Sequence, residues 1–256
     1  MGLSMYAAGL THTGQVRSQN QDAIFVSADA VGPLPNLFIV ADGMGGHKAG
    51  DVASNQAVER FHKYISEMPK PKEPADSYIQ LLYSVAERIN RELFELARAH
   101  PEEMHGMGTT FIACVIEGGR ADFVHVGDSR VYAVTPEGIE QFSNDHTYAE
   151  EMFRAGEITA EEARMHPKRH HLTRVLGFDP YVELDGFSRN LEGISSVLLC
   201  TDGLSNMMDD GQLMKIVNRE GYVEIRVQVL VDEANARGGS DNISAVLIDL
   251  REGTQQ

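Results

Sequence analysis

The chain has no tryptophan and only two cysteines among its 256 residues. No apolar run approaches the ~18 residues of a membrane span. Each scarcity excludes something. Cys114 and Cys200 cannot build a disulfide framework, and both lie inside apolar runs, so we expect buried thiols in a reducing compartment and no bridge between them. The opening Met1-Gly2-Leu3-Ser4-Met5-Tyr6 lacks a basic-then-apolar secretion pattern, and Tyr6 stands where a myristoylation motif wants Ser or Thr. Cytoplasm is the expectation. Positive charge is scarce as well: 22 Lys and Arg against 38 Asp and Glu leave a net charge of −16, which disfavours nucleic acid and anionic membrane as partners. Internal repeats and low-complexity tracts are absent. What is present is ordinary for a folded protein: 42% hydrophobic and 23% charged residues argue against disorder, and the length suits one large domain with a full core.

The sharpest break in composition is Pro69-Lys70-Pro71-Lys72-Glu73-Pro74, which stops any helix and predicts an extended connector. Before it, Ala53, Ala57, Val58, Phe61 and Ile65 share one helical face; after it, Ile79, Leu82, Ala86, Ile89, Leu93 and Leu96 do the same, with Asp76-Ser77 as expected N-cap. Residues 110–116 and 121–126 flank Glu117-Gly118-Gly119-Arg120 and read as a hairpin, and residues 130–134 and 138–142 read as a second. Residues 145–174 are polar, with short helices expected over 149–155 and 160–164 around Gly156; they read as a flap inserted within the domain. Strands are expected again near Val182 and over 197–200. Residues 223–229 alternate like a strand, yet the pattern continues to Arg237 and stops at Gly238-Gly239, which favours a helix. Residues 243–250 close as a strand. Antiparallel blocks of strands with paired helices define an α+β class.

Five aspartates stand where apolar runs meet glycine or small polar residues. Asp42 follows Leu37-Phe38-Ile39-Val40-Ala41 and opens Asp42-Gly43-Met44-Gly45-Gly46-His47. Asp128 follows Phe123-Val124-His125-Val126-Gly127, and Asp202 follows Val197-Leu198-Leu199-Cys200-Thr201. Asp241 precedes the final strand in Gly238-Gly239-Ser240-Asp241-Asn242, and Asp22 opens Ala23-Ile24-Phe25-Val26. Strand ends on one side of a sheet can converge on one cleft, where like charges would meet. Two carboxylates ~4 Å apart repel by about 4 kcal/mol at an effective dielectric of ~20. Such a cluster needs protons or cations, and hard divalent cations suit all-oxygen ligands.

In order and spacing, Arg17-Ser18-Gln19-Asn20-Gln21-Asp22, Asp42-Gly43-Met44-Gly45-Gly46-His47, Gly127-Asp128-Ser129-Arg130, Thr201-Asp202-Gly203 and Ser240-Asp241-Asn242-Ile243 together resemble the metal-dependent protein phosphatases, the PPM or type 2C family. The resemblance covers about residues 8 to 250, and Met44 with the polar 145–174 segment is similar to the bacterial branch. It implies a single domain over residues 1–256, folded as a four-layer αββα sandwich of two antiparallel sheets between pairs of antiparallel helices. It implies two Mg²⁺ or Mn²⁺ ions: Asp42 bridging both, the Gly43 carbonyl beside it, Asp202 and Asp241 completing one site, and Asp22 serving the other directly or through water. Asp128, with Asp202, matches the position of a third, weaker cation, and Arg17 matches the arginine that holds the substrate phosphate. The implied activity is hydrolysis of phosphoserine and phosphothreonine on proteins by a metal-activated water, opposing a bacterial Ser/Thr kinase. The implied partners are phosphorylated proteins and that kinase, and a monomer is expected. Animal members carry a histidine two residues after the bridging aspartate, where this chain has Met44. His47 could serve as general acid instead, or the cations could stabilise the leaving oxygen.

Plainer readings compete at each position. Asp42-Gly43 alone would be a turn; the ordered set argues otherwise. Asp128 could cap a turn with Ser129, Arg17 could make a surface ion pair, and His47 could cover the helix that follows. His166, His170 and His171 lie among Lys168, Arg169 and Arg174; a zinc site lacks thiolate and clean spacing there, leaving a basic patch near the cleft or a solvated face. Cys114 to Arg120 has the spacing of a cysteine-phosphatase loop, but its context is strand, turn, strand. Two rivals come from other classes. A catalytically silent phosphoprotein binder is disfavoured by the full set of aspartates. A calcium-binding module is disfavoured because its loops gather ligands within about twelve residues.

Overall fold

The computed structural model describes residues 5–46, 48–70 and 75–251. In chain order it runs β1 (Tyr6–His12), β2 (Asp22–Ser27), β3 (Leu37–Met44), α1 (Ala49–Ser66), α2 (Ile79–Ala99), β4 (Gly108–Thr109), β5 (Phe111–Glu117), β6 (Arg120–Val126), β7 (Arg130–Val134), β8 (Ile139–Gln141), α3 (Tyr148–Arg154), α4 (Ala160–Met165), β9 (Asp185–Asn190), β10 (Ser196–Cys200), α5 (Asp202–Ser205), α6 (Asp210–Val217), α7 (Val223–Ala236) and β11 (Ile243–Asp249). One sheet has the order β1-β11-β10-β7-β8 and the other β2-β3-β5-β6-β9, with β4 paired to β3. All the pairings are antiparallel.

Side-chain alternation along the strands sets the layers. On β3, Leu37, Ile39 and Ala41 pack with Phe61, Ile65, Leu82, Ile89 and Leu93 of α1 and α2. Phe38 and Val40 face the other way, into a core shared with Val131, Val197, Leu199, Val246 and Ile248 of the second sheet. Leu198, Cys200, Ala245 and Leu247 then pack under Leu213, Val217, Val227, Leu230 and Val231 of α6 and α7. Three apolar layers therefore separate helices, sheet, sheet and helices, giving an α+β, αββα sandwich. Because both faces of the inner strands are covered, β10 and β11 read as nearly continuous apolar runs despite being antiparallel. Each fully buried Val, Leu, Ile or Phe contributes about 1.5–3 kcal/mol to this arrangement. Cys114 lies between the sheets and Cys200 under α6 and α7, so the two free thiols are on opposite sides of a sheet.

Some local expectations need correction. The second long helix begins at Ile79, not at Asp76-Ser77. Ser77 Oγ still accepts the Ile79 N–H at 3.3 Å, and Asp122 of β6 adds to the cap from elsewhere in the fold, accepting the Tyr78 N–H at 2.7 Å and the Ser77 hydroxyl at 3.0 Å. Residue 182 is not in a strand; the ninth strand starts at Asp185, where its pairing with β6 begins. Residues 223–236 form a helix, with Val223, Val227, Leu230, Val231 and Ala234 buried at helical spacing while Ile225 is 60% exposed. The Gly118-Gly119 turn joins β5 to β6 with φ of 58° and 78°, the left-handed pair that a tight hairpin requires. Of the proline-rich connector, residues 71–74 lie outside the described residues.

Candidate active site

A cleft of about 440 Å³ opens at the ends of β3 and β10, lined by Arg17, Asp42, Gly43, Asp128, Asp202 and Asp241 among others. Asp42 sits near the end of β3 and is the cross-strand partner of Asp22 on β2. Asp202 opens α5 one residue beyond the end of β10, Asp128 lies in the turn between β6 and β7, and Asp241 lies just before β11. Arg17 comes from the loop between β1 and β2, and its guanidinium donates to Asp241 Oδ2 at 2.8 Å. Four of the five expected aspartates thus face one space, with Arg17 and Gly43 beside them. Asp22 is not among the lining residues; it is buried and accepts hydrogen bonds from Thr201 Oγ1 at 2.8 Å and Ser244 Oγ at 2.7 Å. His47 lies outside the described residues.

Several residues that carried no role in the sequence reading hold this cleft in shape. Thr110 donates its N–H to the Asp42 carbonyl and accepts the Asp42 N–H on Oγ1, each at 2.9 Å, and its hydroxyl meets Ser129 Oγ at 2.7 Å. Asn242 accepts the Gln21 N–H at 2.8 Å and donates to the Thr13 and Gln19 carbonyls at 2.8 and 2.9 Å. That one side chain joins the loop carrying Arg17 to the loop carrying Asp241. Gly43 is required by close approach: a Cβ there would stand 1.9 Å from the Gly50 carbonyl oxygen at the start of α1. Thr201 stood in the Thr201-Asp202-Gly203 motif without a role of its own, and the only sequence signal for Thr110 and Ser244 is a hydroxyl at the edge of an apolar strand, which many strands show.

Electrostatics set this cleft apart. Burial first, and then the charges of Asp22, Asp202, Asp128 and Asp241, push the Asp42 carboxyl well above its usual range. Burial, with Asp202 and Asp145 next, raises Asp128 to about 8. Burial is also the main cause for Asp22, raised to about 7, and for Asp202, which Asp241 pushes further. A protein has no reason to bury so many mutually repelling carboxylates unless something positive joins them. The donor set is all oxygen, Asp22 Oδ1 is buried with no hydrogen-bond partner among the described residues, and the cleft has room for water. These residues fit hard divalent cations. No three of the cleft aspartates come as close as His125, His146 and Asp185 do elsewhere, whose ligand atoms lie within 4.8 Å of one another.

Part of the polar segment 145–174 stands beside the cleft. His170 lines both the cleft and an adjoining groove of about 890 Å³, which Arg164 and Arg169 share with Glu150, Asp209 and Asp210. His166 and His171 line neither. Arg130, expected as part of the Asp128 motif, forks onto Asp145 with contacts of 2.6 to 3.0 Å.

The profile of the protein phosphatase 2C family matches residues 9–247. The chain belongs to the protein phosphatase 2C family. The serine/threonine phosphatase stp of Listeria monocytogenes serovar 1/2a is 34% identical over 254 residues, covering 98% of each chain. The crystal structure of serine/threonine phosphatase Stp1 from Staphylococcus aureus superposes with a TM-score of 0.88 at 31% identity, over 99% of this chain and 97% of that one. The catalytic domain of PstP, solved in complex with two manganese ions, gives a TM-score of 0.79 at 29% identity over 96% and 97% of the chains. The 2C-type phosphatase fold therefore spans the chain, and its aspartate cleft is where family and geometry meet.

Proposed function

We propose that this cleft hydrolyses phosphoserine and phosphothreonine on proteins with the help of Mg²⁺ or Mn²⁺. The observation that carries the reading is the convergence of Asp42, Asp128, Asp202 and Asp241 on one space with Arg17 beside them. Asp42, the Gly43 carbonyl, Asp202 and Asp241 would hold two cations, with Asp22 acting through water from behind Asp42 and Asp128 joining Asp202 for a weaker third. When bound, such ions neutralise phosphate charge and acidify water.

The protein's own residues supply the rest. Phosphate monoesters are among the slowest uncatalysed hydrolyses, needing up to ~10²¹-fold acceleration. A single general base adds only ~10²–10⁴. Fixed charge and positioning must therefore account for most of the effect. Thr110 and Asn242 fix the backbone on both sides of the cleft, so the carboxylates do not relax outward. Arg17, with 52% of its side chain exposed, is free to turn its fork from Asp241 to the substrate phosphate. His47 keeps its candidacy as general acid.

The mixed-charge groove beside the flap gives a phosphoprotein chain room to lie next to the phosphate, so the substrate we propose is a protein, and a Ser/Thr kinase must supply it. Among the described residues no helix is long and apolar enough to cross a membrane. The two buried free thiols suit a reducing cytoplasm. We read the working unit as a monomer. The test is hydrolysis of a phosphothreonine peptide with Mn²⁺ and with excess chelator, for the wild type and for Asp42→Asn. Turnover should require the cation and fall by at least ~10³-fold in the variant, because an amide cannot supply the negative charge that would hold a cation there. Wild-type activity in chelator, or in Asp42→Asn, would overturn the proposal.

A further inference from the structure

We propose that His125, His146 and Asp185 form a bracket that positions Asp128 in the cleft, with His146 its central positioning residue. The inference rests on the reading of the cleft given above. None of the three lines the cleft or the groove beside it.

The hydrogen-bond chemistry fixes both ring tautomers without ambiguity. His146 Nδ1 lies 3.1 Å from the Gly127 backbone nitrogen, which can only donate, so Nδ1 carries the lone pair and Nε2 the proton. That Nε2–H lies 3.2 Å from Asp185 Oδ2, an ion-pair distance at an angle too poor for a hydrogen bond. The His146 N–H donates in turn to the Gly127 carbonyl at 2.9 Å, so a single residue holds both backbone groups of Gly127. His125 Nε2 lies 2.8 Å from the Ser129 carbonyl, which can only accept; its proton is therefore on Nε2, and Nδ1 is bare, buried and unpartnered. The two rings pack 4.8 Å apart. Asp185 is the cross-strand partner of His125, and Arg174 reaches its other oxygen at 3.3 Å.

Asp128 sits between the two clamped residues. Gly127 has φ of 102°, and a Cβ there would stand 2.5 Å from Thr110 Cγ2, so the turn is tight and needs holding. Ser129 is clamped by His125 on its carbonyl and by Thr110 on its hydroxyl, and Thr110 also holds Asp42. The bracket extends to the roots of the flap as well: the Thr173 N–H donates to the His146 carbonyl and the Tyr148 N–H to the His171 carbonyl, each at 2.9 Å.

A cation site is the rival reading, since the three ligand atoms lie within 4.8 Å of one another. The tautomers argue against it. His146 presents a proton, not a lone pair, to the middle of the trio, and the Arg174 guanidinium already balances Asp185. A group that orients another group toward a metal, without touching the metal, typically changes affinity by about 10–100-fold when removed.

The test is a calorimetric Mn²⁺ titration of the full chain, repeated for Asp128→Ala, His146→Ala, His146→Asn, Asp185→Ala and the double variant Asp128→Ala/His146→Ala. His146→Ala should weaken the weakest Mn²⁺ step by about tenfold or more and leave the tighter steps in place. His146→Asn, whose Oδ1 can accept the Gly127 N–H, should recover most of that loss, and Asp185→Ala should show a smaller loss in the same direction. Asp128→Ala should remove the step, and adding His146→Ala to it should change nothing further. A loss spread equally over every Mn²⁺ step, the same loss in His146→Asn as in His146→Ala, or one equivalent of cation bound at the histidines would overturn the bracket while leaving the cleft intact. If Asp128→Ala binds Mn²⁺ as the wild type does, the reading of Asp128 itself fails, and the bracket with it. Should His146→Ala fail to fold, the Asp185→Ala and His146→Asn comparisons decide the question alone.

Discussion

In the cation-free protein, Asp22 should make stability fall as pH rises, and Asp22→Asn should abolish that fall. Burial is the largest cause of its high pKa of about 7; the charges of Asp202 and Asp241 add to it, and the Ser244 and Thr201 hydroxyls oppose it. In the unfolded chain the carboxyl returns to its ordinary value near 3.8. Between these two values the folded state holds a proton that the unfolded state has released. The Asp22 contribution is therefore fully present below about pH 4 and is lost as pH rises through about 7. At about 1.4 kcal/mol per pH unit, a window of about three units amounts to ~4 kcal/mol. For a domain of this size that is roughly 8–16 °C in Tm. Asparagine cannot ionise, yet its amide oxygen can still accept the two hydroxyls. The assay is thermal unfolding of both proteins in chelator at pH 4.5, 6 and 8, read as the difference in Tm; Asp42 adds to that difference in the same direction, because the Asp22 charge is one of the causes that raise its pKa. The variant should gain on the wild type steadily with pH, and saturating Mn²⁺ should remove most of the trend by stabilising the ionised form. A difference that stays flat with pH, or runs the other way, refutes the picture of a buried carboxylate awaiting positive charge.

Other consequences can be checked separately. Arg17→Ala should raise KM for a phosphothreonine peptide by about tenfold or more, since a charged hydrogen bond is worth about 1.5–3 kcal/mol, with a smaller effect on kcat; an unchanged KM would remove the phosphate role. Asn242→Ala strands a buried N–H and two carbonyls, so Tm should drop by about 5–10 °C, corresponding to roughly 2–3 kcal/mol; a drop of less than about 1 °C would mean that the two loops are held by other contacts. Replacing residues 149–170 by a short Gly-Ser linker, with the hydrogen-bonded roots at 146–148 and 171–173 kept, should reduce activity on a phosphoprotein by about tenfold more than on a small aryl phosphate. Equal losses on both would count against substrate recognition by the flap.

What was legible in the sequence follows a physical division. Apolar periodicity marked the faces of α1 and α2 because each buries one stripe, and Gly118-Gly119 marked its hairpin because a tight hairpin turn needs two left-handed residues in a row. The cleft aspartates stood out because charge at the end of an apolar strand is costly unless it is used. Ser77 in the N-cap of α2 was legible, but the second acceptor, Asp122, was not, because it lies more than forty residues away in β6. Asn242, Thr110 and His146 were missed for the same reason: each is a single polar residue whose partners come from distant strands or loops. His125 bonds only the Ser129 carbonyl four residues on, but inside an apolar strand it reads as one more buried residue. Tertiary hydrogen bonds fix the shape of the cleft, and they leave little trace in local sequence.

The central claim is that separate strand ends bring their carboxylates together to hold doubly charged ions. Anomalous diffraction from crystals grown in abundant Mn²⁺ tests it most directly. Strong manganese peaks should stand between Asp42, Asp202 and Asp241, beside the Gly43 carbonyl. A cleft without manganese in those crystals, or manganese only at the buried histidines, would contradict it.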